Sequence, residues 1–345
     1  MLDQKNTLIA IVLSAVVLLG WQFFIGMPQM ERQRQQQAAQ QQQQAAQQQA
    51  AQQQQQSQQR PQAQSSATPG VAGPQTPGTP GAAPAPGAAA AAPMTREAAL
   101  AASPRIQIDT PRLAGSIPLR GARIDDLALR DYRETVDPKS PAIVLLAPSG
   151  SPSPFYAEFG WVAGGGAPLK LPDAQTEWQR EGAGTLTIDR PVTLTWDNGE
   201  GLLFRRVISV DDRYLFTVKD EVQNTGANPV TLFPYALISR HGTPHTQGYY
   251  ILHEGLIGVL NDKLQEVSYS SIDDKKSIAF DTTNGWLGIT DKYWAATLLP
   301  DTSAHLKARF AASVVGNAKN YQTDYLLDAV TVAPGASATT SGRLF

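Results

Sequence analysis

The chain has 345 residues, a formal net charge of −2 and no cysteine. That charge gives no reason to expect nucleic acid, and the missing thiols exclude a disulfide frame, a cysteine nucleophile and a thiolate metal site. Glycine and proline number 28 and 25, and glutamine crowds the N-terminal part, so one stretch of the chain is not expected to fold.

The first element is an uncharged run, "LIAIVLSAVVLLGWQFFI", over residues 8–25. At a helical rise of about 1.5 Å per residue it spans about 27 Å, close to the ~30 Å hydrocarbon core of a bilayer. Trp21, Phe23 and Phe24 close the run, where aromatic rings favour the headgroup boundary. A cleaved signal peptide is the rival reading. Its apolar run would span about 7–15 residues and end in a small-x-small site, and "GMPQM" after residue 25 offers none. Residues 1–27 are therefore expected to be a transmembrane anchor. Lys5 precedes the span while Arg32 and Arg34 follow it, a count that favours the wrong end for export. Nearly the whole chain is cargo behind the span, which favours an N-in, C-out orientation.

Residues 28–104 are expected to be a disordered linker. Residues 35–59 are almost wholly Gln and Ala, and residues 61–93 are rich in Pro, Gly, Ala and Thr. Neither part has enough large apolar side chains to offset chain entropy. As a flexible coil, ~75 residues reach about 45–50 Å end to end.

Residues 105–345 read as an all-β domain. "TLTWDNGEGLLFRRVISV" places Asn198-Gly199 between two strand-like runs, a hairpin signal. Leu202, Phe204, Ile208 and Val210 share one face of the second run, with Arg206 interrupting. After the turn "DDR" at 211–213, Tyr214, Phe216, Val218 and Val222 share a face in turn. "NTGANP" at 224–229 turns the chain again before "VTLFPYALIS". Strands of about 8–10 residues joined by Asp, Asn, Gly and Pro turns predict an antiparallel sandwich. In "TNGWLGITDKYWAATLLP", "WLGI" and "YWAATLLP" read as strands around a "TDK" turn. Trp286, Leu287 and Ile289 are expected to face Tyr293, Trp294 and Leu298, forming core and lip. Asp291 and Lys292 then take ordinary turn positions.

Motifs that carry chemistry are missing: there is no G-x-S-x-G, no P-loop and no H-E-x-x-H. "AGGGAP" at 163–168 lacks the following Lys-Ser/Thr and reads as a loop. The acid pairs Asp125-Asp126, Asp211-Asp212 and Asp273-Asp274 read as turn residues. "RHGTPHTQGYYILHEG" carries His241, His245, His253 and Glu254, but Gly242 and Pro244 exclude a regular helix that would aim two histidines at one metal. A loop metal site, or a histidine–glutamate pair acting on a sugar, remains the competing functional reading. No catalytic, cofactor or metal residue is assigned.

Three stretches together carry a resemblance: "DQKNTLIAIVLSAVVLLGWQFF", "AGSIPLRGARIDDLALRDYRE" at 114–134 and "NGWLGITDKYWAATLLP". They resemble the YidC/Oxa/Alb family of membrane-protein insertases in its Gram-negative form. The 114–134 stretch is similar to the start of that family's periplasmic domain, and the "NGWLGITDKYWAATLLP" stretch to a signature near its end. The resemblance implies a large twisted β-supersandwich of the galactose-mutarotase type in the periplasm, behind one inner-membrane helix. It implies an insertase and foldase for inner-membrane proteins, not an enzyme, working without a cofactor, alone or beside the Sec translocase. Its implied partners are the lipid bilayer, nascent membrane proteins and the Sec accessory proteins SecD and SecF. Family members continue into further transmembrane helices that build the insertion groove, so the end at "SGRLF" reads as a cut edge and no insertase site is carried over. Two other classes compete: a membrane-anchored periplasmic carbohydrate-binding or epimerase-like sandwich, and a structural envelope protein on a stalk. Residues 214–254, with the polar loop 240–248, are the favoured partner surface.

Overall fold

A computed structural model describes residue 76 and residues 94–165, 168–244, 253–291, 293–315 and 318–345. The apolar span 8–25 and nearly all of the Gln- and Pro-rich tract lie outside these residues. Among the described residues no helix is long and apolar enough to cross a membrane.

The described chain opens with helix α1 (Arg96–Ala101), followed by β1 (Arg105–Asp109), β2 (Leu113–Pro118), β3 (Leu127–Arg133), β4 (Ala142–Leu146) and β5 (Phe155–Ala163). Next come β6 (Gln179–Glu181), β7 (Val192–Asp197), β8 (Leu202–Val210), β9 (Phe216–Asn224), β10 (Val230–His241), β11 (Gly255–Leu260) and β12 (Lys263–Ser268). After helix α2 (Tyr269–Lys275) follow β13 (Ser277–Thr283), β14 (Gly285–Thr290), β15 (Ala295–Leu299), β16 (His305–Val315), β17 (Ala318–Leu327), β18 (Val330–Val332) and β19 (Ser337–Leu344). Helix α1 falls inside the range read from sequence as linker. Thr95 caps it, accepting a bond from the Ala98 N–H at 3.2 Å.

The strands form three sheets. One is the meander β1-β2-β3-β4. The second runs β13-β16-β17-β10-β18, with β5 on the other flank of β10. The third runs β12-β11-β14-β15-β19-β9-β8-β7-β6. Every pairing between these strands is antiparallel, which short turns between consecutive strands such as β8 and β9 or β11 and β12 require.

Alternation sets the faces. Along β9, Phe216, Val218, Asp220, Val222 and Asn224 are buried while the residues between them are not. Along β8 the buried set is Leu202, Phe204, Arg206, Ile208 and Val210. The Asn198 N–H bonds the Leu202 carbonyl, leaving Gly199, Glu200 and Gly201 as a three-residue loop whose glycines have φ of 73° and 94°. Strand β9 begins two residues later than its pattern predicts, because Tyr214 takes φ 79° inside the turn. Strand β10 tolerates Pro234 because its flanking partner changes there: β18 pairs with Val230–Leu232 and β17 takes over from Tyr235. One apolar core joins all three sheets, with Ile117, Phe204, Ile238, Leu287, Phe310 and Leu344 in it.

Candidate functional site

The acid pair Asp125-Asp126 is not a solvated turn. Both carboxylates are buried. Asp125 is bonded by Arg105, and Asp126 by Arg96 of α1 and by the Ser116 hydroxyl at 2.6 Å. Gly115 makes the approach possible, since a Cβ there would lie 1.9 Å from the Asp126 carbonyl oxygen. Burial pushes the Asp125 carboxyl up to about 6, against the pull of Arg105. Asp273-Asp274 also differ from expectation. They lie on α2, and Asp273 accepts from Lys319 and Tyr321. Asp211 does serve its turn, accepting from the N–H groups of Arg213 and Leu215.

The 285–299 hairpin forms, but its turn is longer than the sequence suggests. The Asp291 N–H bonds the Trp294 carbonyl, so Tyr293 and Trp294 belong to the turn and β15 starts at Ala295. Leu287 opposes Leu298 and Ile289 opposes Ala296 in the core. Trp286 lies on the other face of the strand from Leu287 and pairs with Val259. Lys292 lies outside the described residues. Asp291 does more than turn the chain: its carboxylate takes the Arg240 guanidinium at 2.9 Å and the Tyr269 hydroxyl at 3.0 Å. Burial raises the Asp291 carboxyl, with Arg240 and Tyr269 pulling the other way.

None of the described histidines is bonded to this cluster. Residues 240 and 241 belong to β10, not to a loop, so they point to opposite faces of the sheet. Arg240 pairs across to Phe155 and Tyr321 on the core side, beside Asp291. His241 lies on the outer side near Tyr156, ring centroids 5.9 Å apart. Burial and the Arg123 charge lower the His241 pKa. The His253 ring is bonded to the Leu256 carbonyl at 3.0 Å. His305, far along the chain, lies between Asp281 and Asp328. The Glu254 charge bears on Asp291 and helps to raise its carboxyl. His245 and residues 246–248 lie outside the described residues. Among the described residues no group of three His, Cys, Asp or Glu side chains could hold a metal ion.

What the turn does build is a lip. Trp294 meets Tyr132 of β3 edge to face, centroids 4.8 Å apart. Together with Leu129, Tyr214, Leu344 and Phe345 they line an apolar groove of about 210 Å³ between the four-stranded meander and the large sheet. Tyr293 is 70% exposed and Phe345 54% exposed at its rim. Sequence reading did not single out Tyr132, and it set Tyr214 on a strand face, whereas the structure puts Tyr214 in the turn at the groove. Strands β9 and β10, at the heart of the favoured 214–254 surface, are paired on both sides. They offer no free edge to a partner.

Residues 105–345 match the family model of the YidC periplasmic domain. The chain belongs to the YidC family. It is 60% identical over its whole length to a membrane protein insertase YidC of Bradyrhizobium diazoefficiens, covering 54% of that protein. It is 58% identical to the membrane protein insertase YidC of Nitrobacter hamburgensis, again over the whole chain and covering 52% of that protein. The chain thus spans about half the length of these curated YidC relatives. Among solved structures, a galactose mutarotase-like protein from Lactobacillus casei aligns with 70% of this chain and 99% of its own, at 11% identity and a TM-score of 0.45.

Proposed function

We propose that the chain is the anchor, tether and periplasmic domain of an inner-membrane insertase. Its parent inserts and folds integral membrane proteins, alone or with the Sec translocase. The observation that carries this reading is the match of residues 105–345 to the YidC periplasmic domain, in a chain covering about half of relatives named as insertases. As a member of that family the chain is no enzyme and uses no cofactor. The facing antiparallel sheets of six and nine strands support the β-supersandwich reading of the fold. The acid pair of the "RIDDL" stretch then serves as a buried clamp that fixes the meander, not as acid–base machinery.

The insertion step is assigned to the part of the parent beyond this chain. One apolar span cannot shield a polar segment from lipid; that takes a cavity lined by several spans. Residues 28–345 are assigned to the periplasm, with the N-terminus inside. SecD and SecF are assigned as accessory partners. The groove lined by Tyr132 and Trp294 offers them an apolar surface.

Two measurements test this. After depletion of the full-length insertase, residues 1–345 should restore neither growth nor membrane insertion; rescue by this chain overturns the assignment. Proteinase added to spheroplasts should remove the β domain while a tag ahead of Leu8 survives. A protected domain reverses the topology.

A further inference from the structure

The six-stranded sheet has a second face. Its inner rows, such as Phe159, Ala236, Tyr325 and Ala308, enter the main core. Its outer rows are Tyr156, Ser239, Gln322 and Ala311, then Glu158, Leu237, Asp324 and Arg309. An outer face of a sandwich normally meets water, yet Tyr156, Leu237, Ser239, Ala311, Gln322 and Asp324 are all buried. Tyr156, Tyr235, Leu237 and Leu326 form an apolar cluster of their own, separate from the main core. Burial on this side requires a cover.

One residue from the tract ahead of the domain shows what reaches it. Thr76 is itself buried. Its hydroxyl donates to Asp324 Oδ1 at 2.7 Å and accepts from Arg309 Nη2 at 3.0 Å. Arg309 and Gln322 also bond Asp324, at 2.6 and 2.8 Å, so the hydroxyl completes the shell of a deeply buried carboxylate. A threonine suits this place because one hydroxyl both donates and accepts. Its sequence context, "VAGPQTPGTPG" at 71–81, holds small residues and prolines. A segment of that composition favours an extended polyproline conformation and loses little entropy on docking.

We propose that the tract ahead of the domain is tied to the outer face of the β13-β16-β17-β10-β5 sheet at Thr76, which anchors on Arg309 and Asp324. The tract between membrane and domain is tied down at one point.

The cysteine-free sequence makes the test direct. In the full chain in detergent, Thr76→Cys is paired with Ala279→Cys, an exposed position across from Arg309 on the outer face. A control pairs Thr76→Cys with Lys219→Cys, exposed on β9 of the other large sheet. A short bis-maleimide should link 76 to 279 within one chain about tenfold or more faster than 76 to 219, because docking raises effective concentration. In a second pair, Gln75→Cys with Ala279→Cys, adding Thr76→Val should slow the linkage toward the control rate. Equal rates for the 279 and 219 pairs overturn the proposal, as does a linkage indifferent to Thr76→Val. Linkage mainly between chains also overturns it and assigns the face to a second copy instead.

Discussion

Arg206 and Asp220 stand directly opposite each other on β8 and β9, both buried inside the sandwich. Two parallel bonds join them, Nε to Oδ1 and Nη2 to Oδ2, each 2.7 Å. The remaining guanidinium donors reach the carbonyls of Ala122 at 3.2 Å and Phe159 at 2.6 Å. The pair therefore ties the large sheet to β5 and to the loop before β3. Trp178 lies 5.2 Å from the guanidinium.

Removing one partner strands the other charge without water. Asp220→Ala and Arg206→Ala should each cost about 3–5 kcal/mol of stability, read from urea unfolding of the full chain. The double replacement Arg206→Met with Asp220→Leu should cost clearly less than the sum of the single losses. Additive losses would show that the two side chains do not act as a pair.

The β8–β9 region also shows what sequence discloses. The turns at 198–201 and 224–229 were legible because Asn, Gly and Pro have local conformational preferences. The faces were legible because alternation is local. Arg206 was visible as an interruption in an apolar face, but its answer lay at an equally inward position, Asp220, that charge alone had hidden. The pairing of Arg240 with Asp291 joins residues 51 positions apart, which no short-range pattern encodes. The histidine cluster was misread because β10 runs two residues past "VTLFPYALIS". Once 240 and 241 are strand residues, alternation alone separates them.

Gly342 should not accept a side chain. A Cβ there would lie 2.7 Å from the Tyr325 hydroxyl and 2.8 Å from Phe159. The site lies between the two large sheets, where neighbours have little room to shift. Gly342→Ala should lower stability by about 1–3 kcal/mol. Combining it with Tyr325→Phe should recover part of that loss by removing the closer atom. A neutral Gly342→Ala in thermal unfolding would show that the sheets separate more easily than this packing implies.

His305 should hold its proton to higher pH than an ordinary histidine. Its Nδ1 lies 2.9 Å from Asp328 and its Nε2 2.7 Å from Asp281. Hydrogen bonds from its ring to Asp328 and then to Asp281 raise its pKa. A raised folded-state value means that the contribution is complete below about 6.5, the unfolded value, and fades as pH climbs through the folded one. Titration of the His305 ring by NMR should give a midpoint above 6.5, moving down in Asp328→Asn. A midpoint at or below 6.5 would exclude the bridge between β13 and the β17–β18 turn.

Asp125 should give the clamp an opposite kind of pH signature from most carboxylates. Its value rises from 3.8 to about 6 through burial, opposed by Arg105 and helped by the neighbouring Asp126 charge. Between those limits the folded chain binds more protons than the unfolded chain, so stability falls as pH rises through the window. Two pH units correspond to roughly 3 kcal/mol at most. Asp125→Asn cannot ionise, so the variant should lose this slope between pH 4 and 6. From pH 4 to pH 7 the gap should therefore shift in favour of the variant, because only the wild type has to ionise a buried carboxyl beside Arg105. Denaturant unfolding of both forms at half-unit steps isolates the difference from every other titrating group. If the gap between wild type and Asp125→Asn stays constant from pH 4 to 7, the Asp125 carboxyl is not raised and Arg105 at least offsets burial.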